Sequence, residues 1–410
     1  MNRFAPGTGS GLSATLFPAI ERAREWAGEG LRALLLAGSH ATGEAVWADV
    51  DGRPVSLSDL DLYAVMLDEP ACAAARHRAG AGRAAAAHEA PGWGLAAPLE
   101  VAFVTLEGLA RMPARPGTIE LGRSGRVLAG DPGVLARLPR WEPAGVSAEE
   151  RLLLLENRAF ELLGAAGEER GTGAAGPASV SLAALRARHA VLKTALDLAV
   201  VRTLGRGELP AGAAARVARA RELGVPQGLP SWLERAWDGL EPLWGEALAW
   251  RGGTAPAPAA GGPQAEWRAA ARAWCAAWWG EREGAHAPRD PWERALQSAA
   301  RAPLARRLRR SLEPRAGIPD AAEGPGALAR LRHAFAGTPQ HRIHGSATVL
   351  LLAAAQSPAS SQEPRLPAGA LRALGRLGVT RATEFAAAAA AAVRAWDREL
   401  HAGLRTAEPR

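Results

Sequence analysis

Apolar and polar positions follow two rhythms along the chain. In the first third, short apolar runs of strand length are bounded by Gly, Ser, Asp and Pro. Leu31–Ala37, a stretch opening at Ser58-Asp59-Leu60-Asp61 and ending at Leu67, and Pro98–Val104 are predicted strands. Around them, Leu16–Ala27 is a predicted helix with Pro18 near its start, and Ala71–Ala90 an Ala/Arg-rich helix interrupted by Gly80 and Gly82. Pro91-Gly92-Trp93-Gly94 is a predicted turn and Glu107–Arg111 a short helix. Val127–Gly130 reads as a strand end, with Asp131 as N-cap and Pro132 as first residue of a helix to Leu138.

From Ser147 onward the rhythm is helical. Ser147-Ala148-Glu149-Glu150 has the form of a capping box, and Arg151–Leu163 carries Leu and Phe at helical spacing. Gly164–Ala178 is a predicted Gly-rich loop. Helices are predicted at Leu182–Leu204, Ala211–Leu223 and Trp232–Trp250, followed by a Pro/Gly/Ala linker from Arg251 to Gly262. Ala265–Trp279, Pro291–Leu312, Pro325–Ala336, Ser346–Ala355 and Thr383–Leu404 complete the helical set.

Composition sets limits. A chain of 410 residues has room for two or three domains with substantial cores. Hydrophobic content of 48% and charged content of 22% suit a globular protein. No apolar run reaches the length of a membrane span, and MNRFAPGTGSGLSATLF lacks a sustained apolar core of a secretory signal. Cys72 and Cys275 are too few for a disulfide framework and lack metal-ligand spacing. A cytoplasmic protein is expected. The net charge of +7 invites a nucleic-acid reading. However, 48 of the 49 basic residues are Arg, spread along an Ala-, Gly- and Pro-rich chain. A compositional bias explains that charge, so nucleic acid is not the favoured partner. The lone lysine, Lys193, stands out against this bias, because a compact ammonium reaches a phosphate where a planar guanidinium does not fit.

The chemistry gathers near the first two strands. Side chains on a strand alternate faces, so Asp59 and Asp61 project to one side. Two adjacent carboxylates repel, and a divalent cation would neutralise them; a polar turn with one capping and one solvated Asp is the plainer alternative. Gly38-Ser39 ends the first strand, with Thr42-Gly43-Glu44 just beyond, where backbone N–H groups can approach a phosphate. Glu100 is an isolated acid at the start of the third strand. Val46–Val55, with its Asp51-Gly52 pair, suits an inserted hairpin.

This ordered set, Gly38-Ser39, then Asp59-x-Asp61, then Glu100, resembles the nucleotidyltransferase superfamily of polymerase-beta-like fold over roughly residues 25–140. Two departures stand out: the longer spacing from Ser39 to Asp59, and Glu at the third acid, where Asp is common. The resemblance implies an α+β catalytic domain over residues 1–145, with a short mixed sheet and flanking helices. A helical domain (146–250), a linker (251–264) and a C-terminal helical region (265–410) would follow. It implies two magnesium ions on Asp59, Asp61 and Glu100, with Glu100 doubling as general base. Gly38, Ser39 and Gly43 would seat the triphosphate, and Lys193 would offset its charge. The implied enzyme moves a nucleoside monophosphate from an NTP, ATP first, to an acceptor hydroxyl on a small molecule. Nucleotidylation of a protein or tRNA, and a non-catalytic NTP-binding module, remain open.

Other features read as structural. Asp68 and Glu69 are expected to be solvated loop acids, and Glu107 a helix N-terminal acid. Nine of the 14 Trp lie between Trp232 and Trp292, and Trp267, Trp274 and Trp278 are spaced as core anchors rather than base-stacking platforms. Arg301, Arg306, Arg307, Arg309 and Arg310 suit a solvated face better than an RNA site. His341 and His344, near His333, are expected in a loop with no acid beside them, hence without metal. No serine has the surroundings of a nucleophile elbow.

Overall fold

The structure is a computed structural model. It describes residues 14–171, 181–254, 262–281, 290–301, 303–304, 335, 338–358, 363–380 and 382–405. The chain is α+β, a small mixed sheet and many helices, and divides into two compact units. The first comprises Met1–Glu150, Arg206–Arg216 and Leu248–Pro256; the second comprises Arg151–Gly205, Val217–Ala247 and Ala257–Arg410.

The first unit is built on four strands in the order β5-β4-β1-β6, namely β1 (Leu31–Leu36), β4 (Asp61–Met66), β5 (Glu100–Thr105) and β6 (Arg126–Gly130). β1 runs antiparallel to β4 and β6, while β4 and β5 are parallel. The apolar run Ala33–Leu36 of β1 follows from burial on both faces. Leu34 and Leu36 pack with α1 (Phe17–Ala27) and α3 (Glu69–Glu89) on one side; Ala33 and Leu35 pack on the other with Leu109, Leu121 and Val134. Each fully buried leucine contributes about 1.5–3 kcal/mol. The inserted hairpin forms as expected, β2 (Trp47–Val50) against β3 (Arg53–Ser56), with Asp51 and Gly52 both at positive φ in its turn. Two helices complete this face, α4 (Leu106–Ala110) and α5 (Pro116–Ser124). Asp131 caps Gly133 as expected, but the helix after it is a single 3-10 stretch, Pro132–Arg137.

The second unit is helical: α6 (Ala148–Gly171, from Arg151), α7 (Leu182–Leu204), α8 (Ala213–Leu223, from Val217), α9 (Leu240–Arg251, to Ala247), α10 (Pro263–Glu281), α11 (Pro291–Ala299), α12 (Pro339–Gln356), α13 (Ala368–Leu377) and α14 (Phe385–Arg405). The tryptophans are core anchors. Trp267 and Trp274, two helical turns apart on α10, donate their indole N–H to the carbonyls of Leu162 and Leu155, themselves two turns apart on α6. Trp278 is fully buried. Trp267 and Trp274 thus bury aromatic bulk with the N–H satisfied, whereas the buried Trp278 Nε1 has no hydrogen-bond partner among the described residues.

Several sequence expectations change. α6 continues through Gly164 to Gly171 where a loop was expected, since a single glycine costs a helix only about 1 kcal/mol and Leu162, Leu163, Ala165 and Ala166 are buried. Trp232–Gly239 forms turns, and α9 starts only at Leu240. α11 ends at Ala299 rather than Leu312. His341 and His344 lie in α12, whose N-cap Thr338 accepts from the His341 N–H at 3.2 Å. An acid does accompany His344: Glu156 Oε2 lies 2.7 Å from its Nδ1, and Arg301 makes two bonds to the same carboxylate at 2.6 and 2.9 Å. The predicted helix Pro325–Ala336, His333, and Arg306, Arg307, Arg309 and Arg310 fall outside the described residues, apart from Phe335.

Candidate active site

The strand entry of β4 carries the expected alternation. Leu60, Leu62 and Ala64 are buried, while Asp59 and Asp61 are exposed and Tyr63 is half-buried. Even positions feed the core and odd positions face the other way, which keeps both carboxylates out of the apolar interior. Asp61 and Glu100 are direct partners in the parallel ladder of β4 and β5, so both acids leave the sheet on one face at its N-terminal end.

Gly38 completes this corner. The Asp61 carbonyl accepts the Ala37 N–H at 2.9 Å, tying the exit of β1 to the entry of β4. The Asp61 carboxylate then lies over Gly38: a Cβ at residue 38 would stand 2.1 Å from Asp61 Oδ2. Gly38 also has φ +64°, which L side chains rarely adopt. The positive φ selects glycine; a Cβ would also push the Asp61 carboxylate aside. Ser39 follows in α2 (Gly38–Thr42), half-buried. Gly43 ends this short helix in the left-handed conformation, and its N–H donates to the Ser39 carbonyl. That donor is committed to the turn, so Gly43 is a helix terminator rather than a phosphate ligand.

A polar network missed by sequence reading holds the corner. His40 is buried, with Nε2 2.9 Å from Ser56 Oγ, and Ser56 Oγ donates to the Ser58 carbonyl at 2.9 Å. Ser58 Oγ accepts the Val46 N–H at 2.9 Å, and the Trp47 ring meets His40 edge-on. The inserted hairpin is thereby pinned to α2 beside Asp59. Burial lowers the His40 pKa, opposed by the Ser58 carbonyl and the Asp59 charge. Glu44 secures the other end: it accepts the Ala213 N–H at 2.9 Å and pairs with Arg251 at 2.8 Å. The signal for His40 was available only as a histidine following Gly-Ser; its serine partners lie 16 and 18 positions on.

Arg83 Nη2 lies 2.7 Å from Glu100 Oε1. Among the described residues, no group of three or more His, Cys, Asp or Glu side chains could hold a metal ion. Two carboxylates do suit magnesium, which keeps several waters and takes only one or two protein carboxylates plus substrate phosphates. Tyr63, two positions on from Asp61, has its phenol pushed up by burial and by the Asp61 charge, with Arg115 opposing.

Lys193 belongs to the second unit, on α7, with Nζ 3.7 Å from Glu161 Oε1. Asp68 and Glu69, expected as loop acids, instead start α3, Asp68 as N-cap accepting the Ala71 N–H and Glu69 as first residue; Glu107 lies in the first turn of α4 as expected and pairs with Arg111 one turn on. No helix among the described residues is long and apolar enough to cross a membrane. Comparison with protein-family models, with curated proteins and with solved structures gives no match to this chain.

Proposed function

We propose that the first unit is a metal-dependent nucleotidyltransferase that moves a nucleoside monophosphate from an NTP to an acceptor hydroxyl. The observation that carries this reading is the corner where Gly38, Asp61 and Glu100 meet: a positive-φ glycine under one carboxylate, with a second acid in register on the neighbouring parallel strand. An oxyanion substrate is seated at such a corner by backbone rather than by side-chain bulk. Gly38 and Ser39 open α2, where backbone N–H groups and a hydroxyl suit phosphate oxygens.

Asp59 and Asp61 would hold the divalent cation, whose charge offsets that of the triphosphate when bound. Gly38 and Ser39 orient the phosphates for in-line displacement at the alpha phosphorus, with pyrophosphate leaving. Glu100 takes the proton of the attacking hydroxyl, a base placed one strand away from Asp61. The His40–Ser56–Ser58 network keeps the two halves of the corner at fixed separation, so orientation precedes binding. ATP is the first nucleotide to test, and a small molecule the acceptor class proposed.

The experiment is incubation with each NTP labelled at the alpha phosphorus, with and without magnesium, across a panel of hydroxyl acceptors, protein and tRNA included. Label transfer with pyrophosphate release, lost in Asp61→Asn, supports the reading. NTP binding without transfer to any acceptor would favour the non-catalytic module, a reading to which the engagement of Glu100 by Arg83 lends weight.

A further inference from the structure

Three helices of the second unit meet at one guanidinium. Arg188 on α7 places a single atom, Nη2, 2.9 Å from Glu246 Oε2 on α9 and 3.0 Å from Glu266 Oε1 on α10. One positive charge thus faces two acids, and the two carboxyl groups are hydrogen-bonded to each other. Ionised carboxylates only accept, so that bond requires a proton on one of them. Glu266 is the deeper of the two, its side chain 8% exposed against 28% for Glu246. Burial pushes its carboxyl up to about 7, with Arg188 opposing and Glu246 adding to the rise. Elsewhere along α10, α6 presents the Leu162 carbonyl, α12 the Ala355 carbonyl and α14 the Phe385 ring. Trp267 and Trp274 anchor α10 on α6, while the Trp244 N–H of α9 donates to the Ala195 carbonyl of α7 at 2.7 Å. The paired acids tie α9 to α10.

We propose that Arg188, Glu246 and Glu266 form a pH-sensitive joint: one proton shared by the two acids holds α9 on α10, and its release loosens that contact. With the proton in place, one cation faces one carboxylate and the three side chains are neutral together. Once it leaves, a net negative charge remains where little water screens it, and the bond between the acids becomes a repulsion. In the opened form Glu266 titrates at the ordinary 4.5, in the closed form at about 7, so between these values the closed form holds one more proton. Closure is therefore strongest below pH 4.5. It weakens by up to about tenfold per pH unit above that and levels off past about pH 7.

The test is hydrogen–deuterium exchange with mass spectrometry on the full chain, from pH 5 to 8.5, corrected for intrinsic exchange rates. Protection of Leu240–Ala247 is read for wild type, Glu266→Gln and Glu246→Gln. In wild type it should fall by up to about tenfold per pH unit and level off near pH 7. In Glu266→Gln, which cannot lose the proton, it should not change with pH. In Glu246→Gln the levelling point should move to lower pH, because Arg188 then serves Glu266 alone. Constant protection in wild type, a decline that persists in Glu266→Gln, or an unmoved levelling point in Glu246→Gln would overturn the joint. The wild-type profile needs no substitution, so it decides the matter even where circular dichroism shows a variant unfolded.

Discussion

The Asp61 carboxylate occupies the space that a side chain at Gly38 would need, with Oδ2 2.1 Å from where a Cβ would stand. Strand exit and strand entry are thus fitted to each other at the atom level. Gly38→Ala should displace the Asp61 carboxylate and force a non-glycine residue into a left-handed conformation, at about 1–2 kcal/mol for the backbone alone. Urea unfolding measures the stability loss. Calorimetry with Mg·ATP should show binding reduced more than that loss explains.

His40 is held neutral in the folded state, because burial depresses its pKa below the ordinary 6.5. Below about pH 6.5 the unfolded chain takes up a proton that the folded chain refuses, so this residue's contribution to stability falls as pH falls. His40→Asn should flatten the slope of Tm between pH 7 and 5, measured by circular dichroism. It should also lower stability at pH 7.5 by about 1–3 kcal/mol, through the lost bond to Ser56.

Glu156 presents the opposite sign. Burial would raise its pKa, yet His344 and Arg301 together hold the carboxyl well below the usual carboxylate range. Its contribution is present above the ordinary 4.5 and lost as pH falls below it. Glu156→Gln leaves the Arg301 guanidinium without its counter-charge and disrupts the bond to buried His344, and should cost about 3–5 kcal/mol at pH 7 by denaturant unfolding. The acid-induced loss of stability should be shallower in the variant.

Glu266 is raised to about 7, by burial first and by Glu246 beside it, against the pull of Arg188. Arg188 Nη2 lies 2.9 Å from Glu246 and 3.0 Å from Glu266, so one guanidinium serves two acids. The folded state favours the protonated form; the stabilising contribution is complete below pH 4.5 and disappears as pH rises through about 7. Glu266→Gln should therefore stabilise at pH 8 by about 1–3 kcal/mol, a tenfold change in proton affinity being worth about 1.4 kcal/mol. At pH 4 it should have no effect. A Tm–pH series on both proteins decides this.

The features legible in the sequence are those fixed by neighbours in the chain. Asp51-Gly52 between short apolar pieces is enough to specify the β2–β3 hairpin, and Leu182–Leu204 is read to the residue from its uninterrupted helical run. Asp59 and Asp61 show their shared exposure in the period-two alternation alone. The charged pairings across the fold are not local. Glu100 meets Arg83 across 17 positions, and His344 meets Glu156 across 188, so no motif spacing announces either. α5 was hidden by Gly117 and Gly122 within a short, weakly apolar stretch; its burial of Ile119 and Leu121 comes from tertiary packing. The loop expected after Leu163 fails for the same reason, because local glycine preference is outweighed by the buried side of α6.

The central claim is that Asp59 and Asp61 form a cation-dependent nucleotide site at the Gly38 corner. The most direct measurement is calorimetric titration of the wild type and of Asp59→Asn/Asp61→Asn with ATP, with and without magnesium, both proteins first shown to be folded by circular dichroism. The account predicts magnesium-dependent binding to the wild type and none to the double variant. Equal binding by both proteins, or binding indifferent to magnesium, would contradict it.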